Sequence, residues 1–317
     1  MLETRHFSFL RDFIATETGV ALRADQLDFS VKRLKSLCRS EDIHDVSSLL
    51  EAAEASPDSP LRAKIIEVLL ENETIFFKGF DDLKYLRDVV VPELESSASG
   101  QTRTLRIWCA ACGAGQDAYS MSIFIKDGLP NLATWDVNIL ATDISQSAIE
   151  RANKGAFNQL EVSRGLPAKL LIKHFSRNGM YWNAHEYLKD QLTFKRHNLM
   201  DSWEGLGMFD VIFLRDLVTY FPDSTLKDLA KKVHEHLKPT GYLFLGTNEE
   251  LEGFAQVVDA TVPCFRRIQD THLRVGETTP QPSQTINVLD SHIDTIQKAL
   301  NEIDGESFDS SQNETDQ

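Results

Sequence analysis

Between residues 104 and 246, short apolar runs alternate with stretches whose apolar positions recur every three or four residues, a pattern of strands separated by helices. The runs at residues 106–110, 137–143, 192–197, 210–214 and 242–246 predict buried strands, with helices between them such as 145–153 and 224–237. This alternation predicts an α/β fold with a parallel, Rossmann-like sheet. Beyond residue 246 one more helix is expected near residues 249–257, and residues 263–268 read as a last strand inserted antiparallel. The first ninety residues read as a separate all-α module, with helical periodicity at 6–17 and 47–55. Between those two, residues 31–39 form a short helix with Val31, Leu34 and Leu37 inward and Lys32, Arg33, Lys35 and Arg39 on a basic face. The expected domains are 1–90 (helical), 91–275 (sheet, with a small subdomain inserted at about 155–191) and 276–317 (a tail).

The turn after the first strand carries candidate chemistry. In Cys109-Ala-Ala-Cys-Gly-Ala-Gly-Gln116, Gly113 and Gly115 reach backbone angles closed to other residues, so the main chain can approach a ligand. The helix beginning near Gln116 points free N–H groups at it, which suits an adenosine-like or anionic group. Gly113-x-Gly115-x-x-Ala118 also satisfies the dinucleotide fingerprint. Asp143, at the tip of the second strand, can accept both hydroxyls of a ribose, a role shared by nicotinamide and S-adenosylmethionine folds, or it can merely cap the next helix. The antiparallel last strand favours a methyltransferase over a dehydrogenase.

Composition narrows the field. A chain of 317 residues with 42% hydrophobic content fills one large core and a smaller one. With neither a signal-like apolar run at its start nor 18 uncharged apolar residues in a row, it is expected in the cytoplasm and not inserted in a membrane. The net charge of −15 argues against nucleic acid as a partner. More than half of that charge follows Gly276, where nine acidic residues face one lysine. This tail opens like a linker, ends too polar to fold, and between has Leu289, Ile293, Ile296, Leu300 and Ile303 on one helical face. Four cysteines make no disulfide framework, and Cys109-x-x-Cys112 lacks the second pair a zinc site needs, so no metal is expected.

Several segments taken together, in order and spacing, carry a more specific signal. Asn72-Glu-Thr-Ile-Phe-Phe-Lys78, Arg106-Ile-Trp-Cys-Ala-Ala-Cys112, Gly115-Gln-Asp-Ala-Tyr-Ser120, Ala141-Thr-Asp143, Asn198-Leu199, Phe209-Asp-Val-Ile-Phe-Leu-Arg215 and Tyr220-Phe221 resemble the CheR-type chemotaxis receptor methyltransferases over roughly residues 8–270. The resemblance implies S-adenosylmethionine as donor, with S-adenosylhomocysteine as product. As acceptor it implies glutamate side chains in the cytoplasmic helical bundle of methyl-accepting receptors, with a cytoplasmic protein recruited to them. It also implies residue roles. Asn72 and Thr74 fall near the donor's amino acid, Asp117 and Asp143 on its polar groups, and Asn198 and Leu199 at its adenine end. Arg215 with Asp216 lies beneath its methionine, and Tyr220 borders the transferable methyl. Lys32, Arg33, Lys35 and Arg39 correspond to the basic helix that meets the receptor. The turn in residues 175–181 is short, like that of members that do not bind a receptor's C-terminal pentapeptide tether.

The chain departs from the family at places that bear on the chemistry. Lys78 stands where an arginine is usual after the two phenylalanines, and Arg215-Asp216 replaces Arg-Asn. Arginine holds a carboxylate with two parallel hydrogen bonds, whereas lysine is a compact, mobile charge. Asp216 puts a negative charge where an anionic acceptor enters, so it either pairs with Lys78 or rejects glutamate. Gly246-Thr-Asn-Glu249 replaces Gly-His-Ser-Glu, Gln116, Asp117 and Ala118 stand where Glu-Glu-Pro is common, and Cys109 stands where serine is usual.

Overall fold

The computed structural model describes residues 4–70, 74–97, 103–258 and 260–268. Four helices come first: α1 (Thr4–Thr18), α2 (Leu27–Ser40), α3 (Val46–Ala55) and α4 (Pro60–Leu70). Leu10, Phe13 and Ile14 from α1 meet Leu34 and Leu37 from α2, Leu49 and Leu50 from α3 and Ile65 from α4 in one buried cluster. Asp45 caps α3 by accepting the Ser48 N–H at 2.8 Å. Packing changes allegiance near residue 70, because Phe76, Phe80, Leu83, Leu86 and Val90 belong to the core of the sheet. Those residues lie in and around α5 (Phe80–Tyr85), which continues through one wide turn into α6 (Val91–Ser97).

The rest of the chain runs β1 (Thr104–Ala110), α7 (Gln116–Gly128), β2 (Asp136–Asp143), α8 (Gln146–Lys154), β3 (Ala156–Asn158), α9 (Gln159–Ser163), α10 (Ala168–His174), β4 (Phe175–Asn178), β5 (Tyr181–Ala184) and α11 (Glu186–Lys189). It ends with β6 (Leu192–Arg196), β7 (Phe209–Leu214), α12 (Asp223–His236), β8 (Leu237–Leu245), β9 (Phe254–Gln256) and β10 (Cys264–Arg267). Seven strands form one sheet in the order β6-β2-β1-β7-β8-β10-β9. The first five are parallel and β10 runs antiparallel to β8, as expected. All six residues of β7 are buried, which accounts for its unbroken apolar run: helices cover both faces of a parallel sheet. The insertion is a separate three-stranded antiparallel sheet, β3-β5-β4, and only Gly179 and Met180 separate the paired Asn178 and Tyr181 at its hairpin tip.

One expected element is absent. Residues 249–257 are not a helix: 249–253 form a loop that leads into β9. Asn248 (φ 64°) and Gly253 (φ 83°) are left-handed, which a helix cannot contain. Glu249 turns its buried carboxylate back onto the Gly246 N–H at 2.7 Å and the Asp216 N–H at 2.9 Å.

Candidate active site

In an open parallel sheet the ligand crevice lies beyond the carboxyl ends of the strands, where neighbouring connections diverge. Here β1 is flanked by β2 and β7, so the chain after Ala110, Asp143 and Leu214 converges on that crevice. The first loop is tightly wound: Ala111 and Gly113 have φ 53°, and Gly115, at φ 95°, caps α7. A Cβ on Gly113 would stand 2.8 Å from Thr74 Cγ2, and one on Gly115 would stand 3.0 Å from Ala152 Cβ. Asp143 locks the loop by accepting the Gly113 N–H on Oδ2 and the Ser145 N–H on Oδ1, each at 2.9 Å. Burial pushes its carboxyl above the usual aspartate range, against the lowering effect of these N–H groups. The cap of α8 is Ser145, which accepts the Ala148 N–H at 3.1 Å, so Asp143 does not cap that helix; it holds the loop, and each of its oxygens retains accepting capacity for a ligand.

Two cavities adjoin this loop. The larger, about 650 Å³, falls within the range of small-molecule sites. Its sheet side includes Gly113, Asp143, Asn198 and Leu199, and its opposite wall is the helical module, through Val20, Phe29, Arg33 and Glu67. Contacts between the two units fix that wall. Ala21 N–H donates to the Tyr220 carbonyl at 2.9 Å, and Asn198 Nδ2 donates to the Glu17 carbonyl at 2.6 Å. Glu67 accepts the Gln146 N–H at 2.7 Å and the Ser147 hydroxyl at 3.0 Å, at the start of α8.

The smaller cavity, about 160 Å³, is lined among others by Thr74, Lys78, Asp117, Arg215, Asp216 and Tyr220. Thr74 and Tyr220 border both cavities, which places them at the junction. Both terminal nitrogens of Arg215 are engaged: Nη1 donates to Asp82 at 2.8 Å and to the Lys78 carbonyl at 2.7 Å, and Nη2 donates to Asp117 at 2.8 Å. Its burial favours losing the proton, but Asp117 and Asp82 outweigh that and hold the guanidinium charged. Lys78 Nζ meets Asp216 Oδ2 at 2.6 Å with both side chains about half exposed. The pairing with Lys78 that the sequence left open to Asp216 is realised.

Comparison with known proteins fits this geometry. Residues 72–263 match the family model described as CheR methyltransferase, SAM binding domain. The chain belongs to the CheR methyltransferase family. It is 32% identical over 252 residues to chemotaxis protein methyltransferase Cher2 of Pseudomonas putida, covering 78% of this chain and 90% of that one. Chemotaxis protein methyltransferase 1 of Pseudomonas aeruginosa is 33% identical over 77% of this chain and 90% of its own length. A chemotaxis protein methyltransferase of Vibrio parahaemolyticus is 31% identical over 79% of this chain and 90% of its own.

As a CheR methyltransferase, the chain takes S-adenosylmethionine, and the larger cavity suits it: a glycine loop admits close backbone approach, and Asp143 supplies an acceptor at a strand tip. The expected site residues then divide by position. Gly113, Gly115, Asp143, Asn198 and Leu199 gather around the larger cavity or its loop, whereas Lys78, Asp117, Arg215 and Asp216 gather around the smaller one. Asn72 lies outside the described residues, as does the tail from 276 onward. The Asn198 side chain donates to α1 and accepts the Met200 N–H, which fixes its orientation at the cavity wall. On α2, Lys32, Lys35 and Arg39 are exposed as expected. Arg33 is not on that face. Its Nη1 donates to the Val68 and Leu69 carbonyls at 3.1 and 3.0 Å, and its guanidinium lies over the Phe29 ring at 4.4 Å. Sequence reasoning missed Asp82, Glu67 and the inward role of Glu249. Gln116, noted in the sequence as a helix start and a departure, contacts the Thr74 hydroxyl through its amide oxygen.

Proposed function

We propose that this protein transfers the methyl group of S-adenosylmethionine to glutamate side chains in the cytoplasmic helical bundle of chemotaxis receptors, giving glutamyl methyl esters. The observation that carries the reading is the junction of the two cavities: a donor-sized space opens, at Thr74 and Tyr220, onto a small charged pocket containing Lys78. Bound S-adenosylmethionine supplies a methyl on a sulfonium sulfur; the acceptor carboxylate oxygen forms the new C–O bond as the C–S bond breaks, and the electron pair stays on sulfur. Glutamate, with a reference pKa of about 4.3, is already ionised at neutral pH, so no strong base is required of the protein. Its residues align and exclude water instead. Lys78 draws the acceptor carboxylate, Tyr220 orients it at the junction, and Arg215, neutralised by Asp82 and Asp117, forms a rigid floor.

Receptor docking is assigned to the exposed face of Lys32, Lys35 and Arg39, without help from a C-terminal tether, in keeping with the two-residue tip of the β4–β5 hairpin. The protein then acts in the cytoplasm, at membrane receptors. Incubation with tritiated S-adenosylmethionine and receptor cytoplasmic fragments is expected to give base-labile label on glutamate. Capture of the protein by a receptor C-terminal pentapeptide with micromolar affinity would refute tether-free docking. The Lys78–Asp216 pair favours a second reading, a donor-binding module that signals through protein contacts without transfer. Donor binding with no label on any receptor fragment would select that alternative.

A further inference from the structure

In the smaller cavity the charges are unequally committed. Arg215 has three acceptors around its two terminal nitrogens and a side chain only 13% exposed, so an entering anion finds its charge already covered. Lys78 is about half exposed, and what its ammonium meets is Asp216. Asp216 is held there by its backbone. Its φ of 57° is left-handed, a conformation Asp and Asn tolerate better than most residues. Its N–H is gripped by buried Glu249 at 2.9 Å, and a Cβ on Gly246 would lie 2.6 Å from Asp216 Oδ1, so glycine leaves the room in which that carboxylate rests.

We infer that Asp216 is a tethered competitor for the acceptor subsite: its carboxylate occupies the place on Lys78 that a substrate carboxylate must take. The inference rests on the glutamate-methylating reading proposed above and names a residue that sets acceptor selectivity within it. An intramolecular carboxylate is present at high effective concentration whatever the solution contains. A half-exposed ion pair is nevertheless weak enough to exchange. Free carboxylates at modest concentration therefore lose the exchange, whereas a glutamate delivered at high local concentration by a docked receptor wins it. Weakness of the pair is thus part of its use. It discriminates between carboxylates by how they are presented, since their chemistry is identical.

Butyrate, whose carboxylate and three further carbons match the carboxylate, Cγ, Cβ and Cα of a glutamate residue, tests this without turnover. It is titrated into the full-length protein saturated with S-adenosylhomocysteine and followed by NMR. In Asp216→Asn, whose side chain tolerates the same backbone, butyrate binding is expected to tighten about three- to tenfold, with affinity for S-adenosylhomocysteine unchanged within twofold. In Lys78→Gln, butyrate binding should weaken, and adding Asp216→Asn should then have no effect, because the two residues act as one pair. With receptor fragments the same substitution should lower the KM for the acceptor more than it alters kcat. Butyrate binding no tighter in Asp216→Asn, or equal tightening in the Lys78→Gln background, overturns the inference. So does a tenfold loss of S-adenosylhomocysteine affinity, which would make Asp216 a donor ligand. A wild-type protein that esterifies no glutamate defeats the proposed function, while the butyrate titration still judges the competition by itself.

Discussion

The two cavities that meet at Thr74 and Tyr220 are built on opposite principles. The larger is shaped mainly by backbone: left-handed glycines, a strand-tip carboxylate holding a loop N–H, and a wall of mixed polarity from a second unit. The smaller is shaped by side-chain charge, with a buried Asp–Arg–Asp clamp on one side and an exposed Lys–Asp pair on the other. Backbone shape tolerates drift in the surrounding sequence, and the departures at Cys109, Gln116 and Ala118 leave the loop's glycines in place. Charge arrangements change with one substitution. The two departures nearest to the acceptor, Lys78 and Asp216, both fall on that side.

The sharpest break of this contrast is Arg215→Leu. It would leave Asp82 and Asp117 buried without their cation, and removing one partner of a buried ion pair costs about 3–5 kcal/mol. Denaturant unfolding should show a loss of that size together with loss of transfer. Equal stability would mean that water already supports the two carboxylates. On the backbone-built side, Asp143→Ala should cost about 1–3 kcal/mol of S-adenosylhomocysteine affinity by calorimetry, because ribose hydroxyls and the Gly113 N–H lose their acceptor. Since burial raises the Asp143 carboxyl, wild-type affinity should begin to fall, as pH is lowered, at a higher pH than an ordinary aspartate near 3.9 would give. Asp143→Asn should remove that dependence; the same pH profile in both would assign the titration elsewhere.

Legibility in the sequence followed the same division. Strands buried on both faces announced themselves, and so did the glycine loop with Asp143, because a ligand crevice made of backbone requires particular residue types at fixed offsets. The 249–257 segment misled because Leu251 and Phe254 carry apolar spacing compatible with a helix, while a long-range force helps decide it: Glu249 is drawn in by the Asp216 and Thr219 N–H groups of the loop after β7 as well as by Gly246 of its own turn. Asp82 was equally hidden. In Phe80-Asp-Asp-Leu-Lys84 it looks like one more solvated charge on a helix, and its partner Arg215 lies 133 residues away. Arg33 was read with its basic neighbours although the geometry of α2 turns it toward α4.

Smaller effects refine the comparison at its edge. Reversing Lys32, Lys35 and Arg39 to glutamate should raise the KM for receptor fragments roughly tenfold at low ionic strength, with the difference shrinking as salt is added. Donor affinity should not move. A normal KM would leave this face as solvated surface. Arg33→Ala should behave differently from its neighbours, lowering stability by about 1 kcal/mol through loss of its bonds to the end of α4. A Tm equal to wild type would show those bonds to be replaceable by water.

Helix α2 carries the exposed cations Lys32, Lys35 and Arg39 on one side and, through Phe29, Ser30 and Arg33, part of the donor cavity wall on the other. One rigid rod thus faces both outward and into the cavity. Whatever grips its outer side and shifts it changes the fit of the wall, and by linkage whatever fills the cavity alters the grip by the same factor. For the receptor docking proposed above, the affinity of receptor fragment and of cofactor must each be measured with the other both present and absent.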